Sequence, residues 1–134
     1  MSFLVAIDPG KYKCGLILVD QDMASVLEGH VVLVEEVLEL IYLWEKKFNI
    51  EKIIIGNGTT SEDWKKLLFD SAPVKFIDET GSTILARYRY WELWPPSRFF
   101  SWIPKGLLLP PDNLDAIAAL ILMEKFLGKK LQWK

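Results

Sequence analysis

The chain has one cysteine and one histidine in 134 residues. The lone Cys14 excludes a disulfide framework and a cysteine-based zinc site, and points to a reducing compartment. The lone His30 leaves any Ser-His-Asp or Cys-His mechanism resting on one unsupported residue. No apolar run reaches the roughly 18 residues of a membrane-spanning helix. No basic region precedes the short N-terminal apolar stretch, so the chain is expected to be soluble, unprocessed, cytoplasmic and without a membrane partner. Internal repeats, low-complexity tracts and any linker long enough to separate a pair of domains are also missing. A single domain over residues 1–134 is expected. What remains is 51% hydrophobic, which excludes disorder, and large enough to bury a core unaided.

Net charge is only -2, but it is unevenly spread. From Ala24 to Glu45 stand the acids Glu28, Glu35, Glu36, Glu39 and Glu45 with no base. From Ile84 to Gly106 stand Arg87, Arg89, Arg98 and Lys105 against Glu92 alone. Such polarity can present a basic face to nucleic acid, and is equally consistent with an ordinary solvated surface.

Short apolar runs at Phe3–Ile7, Cys14–Val19 and Ser25–Leu33, separated by the turns Asp8-Pro9-Gly10 and Gln21-Asp22, predict three hairpin-linked strands. Val34, Val37, Leu38, Ile41, Trp44 and Phe48 then recur at helical spacing. Lys52–Ile55 and Val74–Ile77 predict two further strands, the first followed by a helix carrying Trp64, Leu67 and Leu68. Thr59 and Glu62 suit a capping box for that helix, and Ser82 can cap the next, with Ile84, Leu85, Tyr88 and Trp91 as its apolar side. After the proline-punctuated stretch 95–111, Asp112 opens a last helix with Gly128 past its end. Hairpins give antiparallel neighbours and strand-helix-strand units give parallel ones. The expectation is an α/β fold: a mixed five-stranded sheet, order 3-2-1-4-5, strands 1–3 antiparallel, helices on both faces.

Asp8 directly follows the first apolar run, near mid-sheet, where a ligand crevice is expected beyond the strand ends. Its plainer reading is a turn acid bonding its own backbone. Asp112 and Asp115, spaced i,i+3, could grip a cation, or serve simply as N-cap and as an acid at the third helical position. Glu79 follows the fifth strand, where a solvated carboxylate would be ordinary. Together, three separated elements each place a carboxylate at a strand end or helix start, and hard divalent cations take oxygen ligands.

Three segments carry a family resemblance. Ala6-Ile7-Asp8-Pro9-Gly10-Lys11-Tyr12-Lys13-Cys14-Gly15 resembles the opening motif of the RuvC/YqgF branch of the RNase H-like nucleases. Asp78-Glu79-Thr80-Gly81-Ser82-Thr83-Ile84-Leu85-Ala86-Arg87 is similar to the YqgF signature, with Thr80 where those proteins carry arginine. Asp112-Asn113-Leu114-Asp115-Ala116-Ile117-Ala118-Ala119 resembles the last helix of both groups. The resemblance implies an RNase H-like fold and Asp8, Glu79 and Asp115 as catalytic carboxylates holding Mg²⁺ or Mn²⁺, one or two ions, with Asp112 a fourth candidate. It makes Lys11 and Arg87 candidates for phosphate contact, and Lys13, Arg89 and Arg98 complete the basic set offered to nucleic acid. The fourth strand ends in Gly56-Asn57, so RuvC's own second carboxylate has no equivalent there. Glu79, two strands from Asp8 and thus about 10 Å away, needs its long side chain or an intervening ion to close the gap, which favours it over Asp78.

The run Tyr88–Trp94, followed by Arg98-Phe99-Phe100-Ser101-Trp102, mixes rings with arginine. Rings can stack on splayed bases, or fill the core or a dimer interface. The expected function is a metal-dependent endonuclease acting on structured nucleic acid, either branched Holliday-junction DNA or pre-16S rRNA. Junction cleavage needs two coordinated cuts and hence a homodimer; trimming RNA does not. The alternative is a catalytically inactive binding module, associated with nucleic acid or the ribosome, that keeps the fold.

Overall fold

The structure, a computed structural model, describes residues 2–58, 61–95 and 114–133. The β-branched runs form β1 (Phe3–Asp8), β2 (Lys13–Asp20) and β3 (Ser25–Leu33), paired antiparallel in sequence. A single 3₁₀ turn, Val34–Glu36, leads into α1 (Val37–Lys47), then β4 (Ile50–Gly56) and α2 (Ser61–Leu67). After β5 (Val74–Ile77) come α3 (Ser82–Leu93) and α4 (Asp115–Leu127). β4 runs parallel to β1 and β5 parallel to β4, as the crossover rule requires.

The sheet order is β5-β4-β1-β2-β3, as expected, with a sixth strand beyond β3. This strand, β6 (Gln132–Trp133), lies parallel to Ser25 and Val26 of β3. The expected count of five is corrected by it. Two residues hold no alternation from which a strand could be inferred.

Alternation divides the sheet into two faces. Phe3, Val5, Ile7, Leu16, Leu18, Ile53 and Ile55 pack under α1 and α2 through Val37, Ile41, Trp44, Trp64 and Leu68. Leu4, Ala6, Ile17, Val19 and Ile54 pack under α4 through Ala116, Ala119, Leu120 and Met123. On its far side α4 meets Ala86, Tyr90 and Trp91 of α3 through Ile117, Ala118 and Ile121. That enclosure explains why α4 is apolar around its whole circumference, with Ala116–Met123 buried throughout.

Three local expectations change. Of the expected apolar side of α3, Trp91 is buried but Ile84, Leu85 and Tyr88 are exposed; the helix buries Ala86, Arg89 and Tyr90 in their place, Ala86 being small enough to admit α4. The cap of α3 is Gly81 in the left-handed region (φ 76°), and Ser82 is the first helical residue. Asp115 is the first residue of α4, with Leu114 at its N-cap, not the third. The capping roles of Thr59 and Asp112 lie outside the described residues. Gly128 closes α4 in the left-handed region (φ 71°), as its position predicts.

Candidate active site

Strand parity places the first carboxylate. Leu4 and Ala6 face α4, so Asp8, two residues on, faces it too. In the ladder Asp8 sits opposite Gly15 of β2. A Cβ on Gly15 would overlap the backbone of Asp115, so a residue without a side chain lets the start of α4 settle beside Asp8.

Glu79 arrives from the other flank. Ile7 of β1 pairs with Ile55 of β4, which leaves Gly56 as the next β4 residue along from that pair. The Glu79 side chain lies across Gly56 and Gly58, and a Cβ at either glycine would run into its carboxylate. The Gly56-Asn57-Gly58 segment is therefore a saddle that lets a carboxylate from beyond β5 reach over β4 toward Asp8. Glu79 is the acid whose side chain takes this path.

Asp78 turns away. Its Oδ1 accepts bonds from the Thr80 backbone N–H at 3.0 Å and the Thr80 hydroxyl at 2.7 Å, which hold its carboxyl below its ordinary range. Lys125, in the last turn of α4, donates to the carbonyls of Asp78 at 3.1 Å and Thr80 at 3.4 Å. Ser82 N–H donates to the Glu79 carbonyl at 3.0 Å. Thr80 thus shapes the loop that presents Glu79.

The electrostatics report the convergence. Burial first, then the charges of Asp115 and Glu79, push the Asp8 carboxyl up to about 7. Burial, then Asp78, raises Glu79 as well. Acids buried close to one another resist ionisation. The three carboxylates share a face without forming a ready cage: among the described residues, no three His, Cys, Asp or Glu form a group that could hold a metal ion. Asp112 lies outside the described residues.

The basic candidates separate. Lys11 and Lys13 are exposed at the β1–β2 turn, and Arg87 is partly buried on α3. Arg89 is withdrawn from any nucleic-acid role. It is buried, grips Glu124 through Nε at 3.0 Å and Nη2 at 2.9 Å, and donates from Nη2 to the Leu131 carbonyl at 2.7 Å. Glu124 in turn accepts the Leu131 N–H at 2.7 Å. The pair ties down the segment leading into β6. Arg98 lies outside the described residues. Cys14 is a buried strand residue on the face opposite Asp8, and His30 pairs with Glu28 at 3.0 Å in β3, both apart from the acids.

The residues missed by sequence reasoning are those that position the acids and take no part in the proposed chemistry. Gly15, Gly56 and Lys125 set where the acids stand. Counting the parallel register from the paired apolar runs would have found Gly56 in the strand beside Asp8.

No family model matches the sequence. The fold is similar to that of RuvC, an α/β domain built on one mixed sheet. Thermus thermophilus RuvC superposes with a TM-score of 0.53 at 15% identity, over 96% of this chain and 98% of its own. T. thermophilus RuvC in complex with a Holliday junction substrate matches equally, at 0.53 and 16%, over 98% and 99%. In sequence, proteins from two strains of Bacteroides fragilis, each named "Putative pre-16S rRNA nuclease", are 28% identical over 97% of this chain and 99% of theirs. The YqgF/RuvC resemblance of the three motifs therefore extends along nearly the whole chain.

Proposed function

We propose that this chain is a divalent-metal-dependent nuclease of the YqgF/RuvC type, acting on structured nucleic acid. The observation that carries it is the approach of Asp8, Glu79 and Asp115 from three elements to one face of the sheet, with Asp8 held near neutrality by burial and by the other two. The donors fit a hard cation: all are carboxylate oxygens, and their mutual repulsion is what a divalent charge relieves. Mg²⁺ or Mn²⁺ is the ion such donors would take, since Mg²⁺ keeps waters and substrate phosphate among its ligands and needs no all-protein cage. Bound there, such an ion neutralises charge on a phosphodiester and lowers the pKa of a water.

Asp8 and Asp115 would hold the ion from the sheet and from α4, and Glu79 would complete it across the Gly56 saddle. Lys11 and Lys13, exposed beside the mouth of β1, would fix the backbone of the substrate, as would Arg87. Of the two substrates, precursor rRNA is favoured over branched DNA, because the full-length relatives carry that name while the RuvC likeness speaks for fold alone. No helix among the described residues is long and apolar enough to cross a membrane.

The test is Mg²⁺-dependent cleavage of a 16S rRNA precursor beside a four-way DNA junction. Asp8→Asn is expected to lose about a hundredfold or more in rate with the fold intact by circular dichroism. Undiminished cleavage by that variant would refute the metal site. Tight binding without cleavage by the parent would make the chain a binding module.

A further inference from the structure

The opposite side of the sheet carries a surface that the carboxylates do not use. Between α1 and the end of α2 lies a depression of about 460 Å³, whose lining sets the apolar Leu38, Tyr42 and Leu67 beside the acids Glu39, Glu45 and Asp70. Tyr42 is 59% exposed, and Phe69, just past α2, is 84% exposed. A second depression, on the β3 flank of α1, shares Glu39 and adds Glu36, Leu40 and Leu43, with Val32 and His30 of β3 beside them, His30 paired with Glu28 at 3.0 Å. Among the described residues no lysine or arginine lines either one. One cation does approach: Lys46 Nζ stands 4.6 Å from the Tyr42 ring centroid, so the ring already receives a positive charge. Lys65 of α2 is engaged by Glu62 and the Phe76 ring.

Large exposed apolar side chains gathered in a groove are the mark of a docking site, and the surrounding acids restrict what can dock. Nucleic acid and anionic membrane would be repelled. A second copy related by two-fold symmetry would set the same acids against one another. We infer that this face of α1 and α2 receives a basic amphipathic segment of a partner protein, a helix with an apolar ridge flanked by lysines or arginines. It lies across the sheet from Asp8, so a docked partner leaves the carboxylate site open. The inference is independent of whether the chain cleaves nucleic acid.

Three labelled helical peptides of about 18 residues, long enough to hold a helix, test it by fluorescence anisotropy at about 0.15 M salt, where long-range charge effects are damped. One carries leucines on one face and lysines beside them, the second glutamates in place of lysines, the third serines in place of leucines. The Leu/Lys peptide is expected to bind, with the other two at least about tenfold weaker. Paired reversal Glu39→Lys with Asp70→Lys, and separately Tyr42→Ser, should each weaken it by about tenfold. The same reversal at the exposed acids Asp22 and Glu51, outside both depressions, should leave it unchanged. Equal loss at Asp22 and Glu51, equal binding of the Leu/Glu peptide, or a self-association abolished by Tyr42→Ser would each overturn the inference.

Discussion

Asp8 concentrates the chemistry of the site in one side chain. Its carboxyl ordinarily ionises near 3.8 and is raised to about 7 here, so between those values the folded chain holds a proton that the unfolded chain has released. The folded state therefore binds more protons, and stability falls as pH rises through this window. Asp8→Asn removes the penalty. In EDTA at pH 8 the variant is expected to be more stable than the parent by about 1–2 kcal/mol, allowing for solvent screening at a partly exposed site. Below pH 4 the difference should vanish. Mg²⁺ should raise the melting temperature of the parent and leave that of Asp8→Asn unmoved. Urea melts across the pH range check both signs, and a variant less stable than the parent at pH 8 would contradict the crowding of acids. A residue that costs stability at the pH where it is ionised fits a site built for binding.

At the scale of elements, glycine does the placing, and two substitutions should separate position from stability. An alanine at Gly56 meets chiefly the far end of the Glu79 side chain, which can swing aside. Gly56→Ala should therefore melt close to the parent while binding Mn²⁺ about tenfold more weakly. Combined with Glu79→Gln it should add nothing, since both act on the same proposed ligand. An alanine at Gly15 meets the backbone of Asp115, which cannot yield without moving α4, so its cost should appear in folding. Isothermal titration beside thermal melts distinguishes the two. A second element-scale tie is the Arg89–Glu124 pair that clamps both backbone groups of Leu131. Arg89→Leu strands a buried carboxylate and should cost about 3 kcal/mol, with amide exchange in β6 accelerating before the rest of the sheet. Much of this level was legible in the sequence. The runs at Phe3, Cys14, Ser25 and Val74 became strands because their apolar period matched their environment, and the three acid-bearing motifs fell at strand ends and a helix start. What escaped was decided by neighbours distant in sequence. Arg89 stood in the basic set offered to nucleic acid until Glu124, 35 residues on, claimed it. Of the apolar stripe of α3 only Trp91 stays buried, because Ala86 turns another side toward α4, and β6 is too short to announce itself.

For the molecule as a whole, the sheet is a partition. Acids beside apolar side chains line the depression on the α1 and α2 side, while Asp8, Glu79 and Asp115 approach one another on the α4 side, with Lys11 and Lys13 exposed at the β1–β2 turn. With a net charge of -2, the chain cannot rely on a broad positive field to hold nucleic acid. Binding in the proposed function must then come from a few local contacts and from the metal. Once Arg89 is withdrawn, Lys11, Lys13 and Arg87 remain as the proposed phosphate contacts among the described residues. Each phosphate neutralised steepens the fall of affinity with salt by about 0.9 in a log–log plot for duplex DNA and about 0.7 for single strands. Three contacts predict a slope of about -2 to -3, measured by anisotropy with Ca²⁺ in place of Mg²⁺ to suppress cleavage. Lys11→Ala should make it shallower by about one contact and weaken binding uniformly across sequences. A slope twice as steep in the parent would mean that cations beyond these three carry the substrate, and that affinity is spread along the surface instead of focused at the mouth of β1.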